Sequence, residues 1–266
     1  MIIMNDTEFY KELCKDRDFM EYYRTEESWV SSNDVFPIQL GEDKLVIKRP
    51  SRFPKSQIQD LVYNWQSFPF EVAEGRNVRS NLKYEAELLK TMAGNRVPGF
   101  IFFDKDTYTL IRSYVNGTDF RQLQRTEDRA HALEKGLDSL ETIHDKFGFL
   151  GSAHAKNIIL GNDGKAYWTG AEYNERISGK GKMEDILKFV FSIYTATKDV
   201  REDERRWLVL ESARLSGCKI RQNMRLEDFE NYFNRINGSW SEFRWWYSTR
   251  MPADLREKVK RTLKGH

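Results

Sequence analysis

Cysteine is scarce in this chain. Two residues in 266, Cys14 and Cys218, are too few and too far apart to support a disulfide framework or a zinc site. They read as buried, reduced thiols of a cytosolic protein. Long apolar runs are missing as well. No stretch approaches the roughly 18 uninterrupted apolar residues of a membrane span. The opening Met1-Ile-Ile-Met-Asn5 lacks a basic region followed by an apolar one, so no secretory leader is expected. Neither sign of charge dominates. The 43 basic and 41 acidic residues leave a net +2, which gives no argument for nucleic acid as a partner. Internal repeats and low-complexity segments are also lacking.

What remains is an ordinary soluble composition, 39% hydrophobic and 32% charged, with 14% aromatic residues. The length suits one two-lobed domain or two small ones. Residues 6–24 read as a helix capped by Asn5 or Asp6, with Phe9, Leu13 and Met20 on its apolar side. Residues 35–40 and 44–48 read as a hairpin around Gly41, and the Arg49–Pro54 stretch as a break. Short and longer helices are expected at 55–66 and 74–92, the second ended by Gly94-Asn95. Strands follow at 100–103 and 108–112, a short helix at 118–124, and a long one at 127–147. In the long helix Leu133, Leu137, Leu140, Ile143 and Phe147 recur at spacings of three and four. Phe149 to Leu160 reads as a loop and short apolar strand. Asn162-Asp-Gly164 makes a hairpin tip, and Lys165 to Tyr173 carries the second strand. Further helices are expected at 182–194, 201–216 and 226–237. The tail has an aromatic cluster at Trp240 to Trp246. From 250 to 266 it then carries six Lys or Arg against two acids.

The order of helix, loop and hairpin resembles the catalytic centre of the protein-kinase-like superfamily, in its atypical branch of RIO, lipopolysaccharide-core (Kdo) and aminoglycoside kinases. The resemblance covers about residues 35–195. It implies an α+β, two-lobed protein-kinase-like fold, with a small antiparallel β N-lobe and a mainly helical C-lobe. The N-lobe with its helical extension would be 1–115 and the C-lobe 116–266, with 112–117 as the hinge. Lys44-Leu-Val-Ile-Lys48 is similar to the strand whose lysine meets the nucleotide phosphates, and Glu85 to the glutamate that pairs with it; Glu87 is the competitor. Backbone groups of Arg112, Ser113 and Tyr114 would face an adenine. Asn157 falls on a metal-binding Asn, and Asp185 on an Asp that bonds back to the loop.

The two acids that chemistry demands are missing. Ser152 stands where the catalytic Asp belongs, and Gly170 where the second metal-binding Asp belongs. Only Gly41 marks the place of a Gly-rich phosphate loop. The expectation is therefore a pseudokinase: a catalytically inactive binding or regulatory scaffold that takes ATP, if at all, without Mg²⁺, and holds no metal. The alternative is an active atypical kinase or nucleotidyl transferase with relocated acids. His154 or Glu172 would then be the substitutes, and Asp145 a third. The expected partner is another protein. The basic C-terminal helix, similar to that of the lipopolysaccharide-core kinases, adds an anionic membrane surface or a sugar-lipid as candidates, and nucleic acid is disfavoured. The expected location is the cytoplasm or the inner face of a membrane.

Overall fold

The structure is a computed structural model, and it describes residues 6–16, 24, 33–50, 76–171, 181–223 and 251–265. It is an α+β chain whose described residues form two small antiparallel sheets and several helices. The chain divides into two compact units. One comprises residues 1–115 with 171–173, the other 116–170 with 174–266.

In the first unit, α1 (Asp6–Lys15) precedes the hairpin of β1 (Asn33–Leu40) and β2 (Asp43–Pro50). Gly41 supplies the positive φ of the turn, +61°, at no steric cost. Helix α2 (Arg76–Met92) then leads to β3 (Phe100–Asp104) and β4 (Thr109–Ser113). The strands lie in the order β1-β2-β4-β3. Pro37 is tolerated because β1 is an edge strand. Residues paired across antiparallel strands share a face, so the register assigns both sides of the sheet. Phe36, Ile38, Leu45, Ile47 and Ile111 lie on one side and pack with Leu13 and Cys14 of α1. Val46, Lys48, Leu110 and Arg112 lie on the other. Helix α2 packs on the sheet, with Leu82, Glu85, Leu88, Leu89 and Met92 buried at helical spacing.

In the second unit, β5 (Gly117–Asp119), β6 (Ile158–Gly161) and β7 (Ala166–Trp168) form a small antiparallel sheet. It packs on the long helix α3 (Thr126–Lys146). Gly136 makes the close approach possible: a Cβ there would meet Ile158 Cδ1 at 2.7 Å. Its carbonyl accepts a hydrogen bond from Trp168 Nε1 at 3.1 Å. Helix α4 (Gly181–Ala196) is buried along most of its length, as the apolar run from Phe189 to Phe191 with Met183, Ile186, Leu187 and Ile193 requires. Helices α5 (Glu202–Asn223) and α6 (Ala253–Lys264) pack against each other.

Several expectations are corrected. The first helix stops at Lys15, and Arg24 forms a β-bridge with Ile38 rather than continuing it. Strand β2 runs through Arg49 and Pro50, because Arg49 is paired across the hairpin with Asp34. Residues 117–119 are a strand followed by a 3₁₀ turn, Phe120–Gln122, not a helix; Gly117 sits so close to Leu160 and Gly161 that only glycine fits. Cys218 is exposed, while Cys14 is buried. The helices expected at 55–66 and 226–237 and the cluster at 240–246 lie outside the described residues. Among the described residues no helix is long and apolar enough to cross a membrane.

Candidate functional site

Lys48 ends the apolar run of β2 and points to the same side of the sheet as Arg112. Its Nζ donates to Glu85 Oε2 at 2.5 Å, with the two side chains only 11% and 3% exposed. Burial and helical phase select the carboxylate: Glu85 lies among the buried positions of α2, whereas Glu87, two residues on, is exposed. Ser113 lies on the opposite side of the sheet, where its Oγ accepts from Gly99 N at 2.7 Å. Tyr114 N donates to Lys44 O at 3.1 Å, and the Lys44 ammonium stands 4.2 Å from the Tyr114 ring centre.

The second unit builds the loop from Leu150 to Asn157 around one residue of α4. Asp185, fully buried, accepts from Leu150 N at 2.6 Å and Gly151 N at 2.7 Å. His144 Nε2 lies 3.0 Å from the same carboxylate. Three partners are what a buried carboxylate needs to offset its lost hydration. Gly151 takes φ +79°, the left-handed turn that aims two successive backbone N–H groups at Asp185. Lys188, one turn further along α4, donates to Gly151 O at 2.6 Å and pairs with Glu184 at 2.9 Å. Ser192 Oγ accepts from Ala155 N at 2.8 Å. One helix face therefore fixes the loop at three points.

Ser152, Asn157 and Gly170 come together at the end of this loop. Asn157 Nδ2 donates to Ser152 O at 3.0 Å and stands 3.3 Å from its Oγ. Thr169 N and Oγ1 donate to Asn157 O at 3.0 and 3.1 Å, which ties the β7 end to the loop. A Cβ on Gly170 would lie 3.2 Å from Asn157 Nδ2. Positions 152, 157 and 170 are thus neighbours, and their own side chains carry no charge. Mg²⁺ prefers carboxylate and phosphate oxygens, so this trio does not suit it. Among the described residues no group of three or more His, Cys, Asp or Glu side chains could hold a metal.

The expected substitutes fare differently. His154 is half-buried, and burial, followed by the ammonium charges of Lys156 and Lys188, pushes its pKa down to about 3. A base that weak draws little driving force for proton abstraction near neutrality. Asp145 is exposed on α3. Glu172 lies outside the described residues.

Sequence reasoning missed the supports: His144, Lys188 and Ser192. The phase of Lys188 and Ser192 relative to Asp185 on their shared helix was readable, but not which loop atoms they would meet, nor that His144 of α3 would reach Asp185. It also treated Arg112 as a source of backbone groups, although its side chain is 96% buried. A further surface feature lies between α5 and α6. A groove of about 430 Å³ is lined by the half-exposed Trp207 together with Leu210, Arg214, Lys258 and Arg261. Leu255, Val259 and Leu263 of α6 are buried, which leaves Lys258 and Arg261 exposed.

No family model matches the chain, and no curated protein matches it.

Proposed function

We propose that this chain is a catalytically inactive member of the protein-kinase-like superfamily, a two-lobed pseudokinase that serves as a binding or regulatory scaffold and takes nucleotide without metal. The observation that carries the reading is the neutral trio Ser152, Asn157 and Gly170, which meet where the chain after β7 reaches a loop held at three points. Phosphoryl transfer relies on a carboxylate to orient the acceptor and on metal ions to absorb charge. Neither is supplied by a hydroxymethyl group or by a bare glycine. The buried Lys48–Glu85 pair supports retained recognition of an anionic ligand, since it presents an oriented ammonium group without any metal. The partner we propose is another protein. The exposed basic side of α6 is the surface we propose for an anionic membrane or sugar-lipid.

The test is the melting temperature with ATP, in EDTA and in Mg²⁺. We expect a rise in EDTA, no larger rise with Mg²⁺, and no release of ADP. A Mg²⁺-dependent rise accompanied by nucleotide turnover would overturn the inactive reading and establish an atypical kinase or nucleotidyl transferase. No rise in either buffer would remove nucleotide from the proposal.

A further inference from the structure

Among the described residues, the α2-facing side of the first sheet carries more positive than negative charge. Lys48 and Arg112 both belong to that side, by the pairings Lys48 with Leu110 and Val46 with Arg112. Glu85 is the one carboxylate that meets Lys48 there among the described residues. Arg112 is 4% exposed, and its Nε has no hydrogen-bond partner among the described residues. Burial pushes the guanidinium's pKa down from its ordinary value, while the charge of Glu85 opposes that effect. Among the described residues, two buried cations and one carboxylate leave a net charge of +1 in a desolvated place. Such a charge is strongly disfavoured without a counter-ion. A guanidinium offers a planar fork and an ammonium group a compact point charge. The two together match the several oxygens of a phosphate group.

We propose that Lys48 and Arg112 form a metal-free site for a phosphate-class oxyanion, with Glu85 orienting Lys48 and Arg112 supplying the charge that a metal ion supplies in a transferase. The proposal deepens the nucleotide-binding reading and rests on it for the site, but it assigns the ligand contact to the Arg112 side chain. No bond is made or broken; the ligand is held as a counter-ion. Lys48 is the more exposed member of its pair with Glu85, at 11% against 3%.

The test is calorimetric titration of the full chain with inorganic pyrophosphate in EDTA, for the wild type and Arg112→Met. Arg112→Met keeps the bulk of the side chain and removes the charge. The wild type is expected to bind, and Arg112→Met to bind at least tenfold more weakly while melting no lower than the wild type, because a buried charge whose Nε lacks a hydrogen-bond partner among the described residues has gone. Arg112→Gln carries the same expectation should Arg112→Met fail to fold. Absence of pyrophosphate binding by the wild type overturns the proposal, and so does equal binding by the two proteins. ATP titrated in parallel separates the two readings. If ATP binds wild type and variant equally, the proposal falls and the nucleotide reading stands. If pyrophosphate binds through Arg112 but ATP does not bind, the nucleotide reading falls and the anion site stands.

Discussion

His154 is the residue whose environment has the clearest consequence in solution. Its folded-state pKa is pushed from 6.5 to about 3 by burial and by Lys156 and Lys188. The unfolded chain therefore takes up a proton on this residue that the folded chain refuses. Above pH 6.5 the residue is neutral in both states and has no effect. As pH falls from 6.5 towards 3, the native state loses stability at up to about 1.4 kcal/mol per pH unit, after which the loss levels off. His154→Gln should remove that part of the acid sensitivity. Between pH 7 and pH 5 the variant is expected to lose up to about 2 kcal/mol less than the wild type, read from urea midpoints. Equal losses would show that His154 is hydrated in the folded chain. At this scale the sequence was partly legible. Lys48 and Glu85 were readable because each ends or interrupts an apolar pattern with a charge. The side chain of Arg112 was not, because strand register, which brings it beside Lys48, depends on partners far along the chain.

Helices and hairpins are where periodicity spoke most directly. The long helix α3, the β1–β2 hairpin and the Asn162-Asp-Gly164 tip follow from spacing and turn chemistry, and Gly164 takes φ +76° as such a tip requires. Residues 117–119 were not legible as a strand, because three residues carry no period of their own and only pairing with β6 makes them one. The contact between α5 and α6 was equally hidden. At Gly217 of α5 an added Cβ would meet Thr262 O at 3.0 Å and Leu263 O at 3.1 Å, both backbone atoms. Inside a helix, alanine in place of glycine gains up to about 1 kcal/mol in propensity. Here the clash should win, because two packed backbones cannot give way as a flexible side chain does. Gly217→Ala is expected to lower stability by about 1–3 kcal/mol in urea unfolding. A stabilised variant would mean that α6 is free to shift along α5.

At the level of the molecule, architecture and chemistry were unequally readable. An α+β chain with a small antiparallel sheet was expected from the resemblance, and the element order of the structure agrees with that coarse class. Residues 152, 157 and 170 are brought together by the loop and hairpin that join them, and the resemblance could point to that proximity before any coordinate did. Introducing acids is the whole-chain experiment. With Ser152→Asp and Gly170→Asp combined, ATP should raise the melting temperature more in Mg²⁺ than in EDTA, a difference we expect the wild type to lack. A double variant still indifferent to Mg²⁺ would mean that the trio is not positioned for a metal. Such a substitution is feasible because of Asp185. The loop takes its shape chiefly from a carboxylate on a neighbouring helix, which grips the backbone of 150 and 151, while the Ser152 side chain adds only a 3.3 Å contact with Asn157 Nδ2. Its tip can therefore be rewritten, acid for neutral or neutral for acid, while the handle that grips it stays where it is.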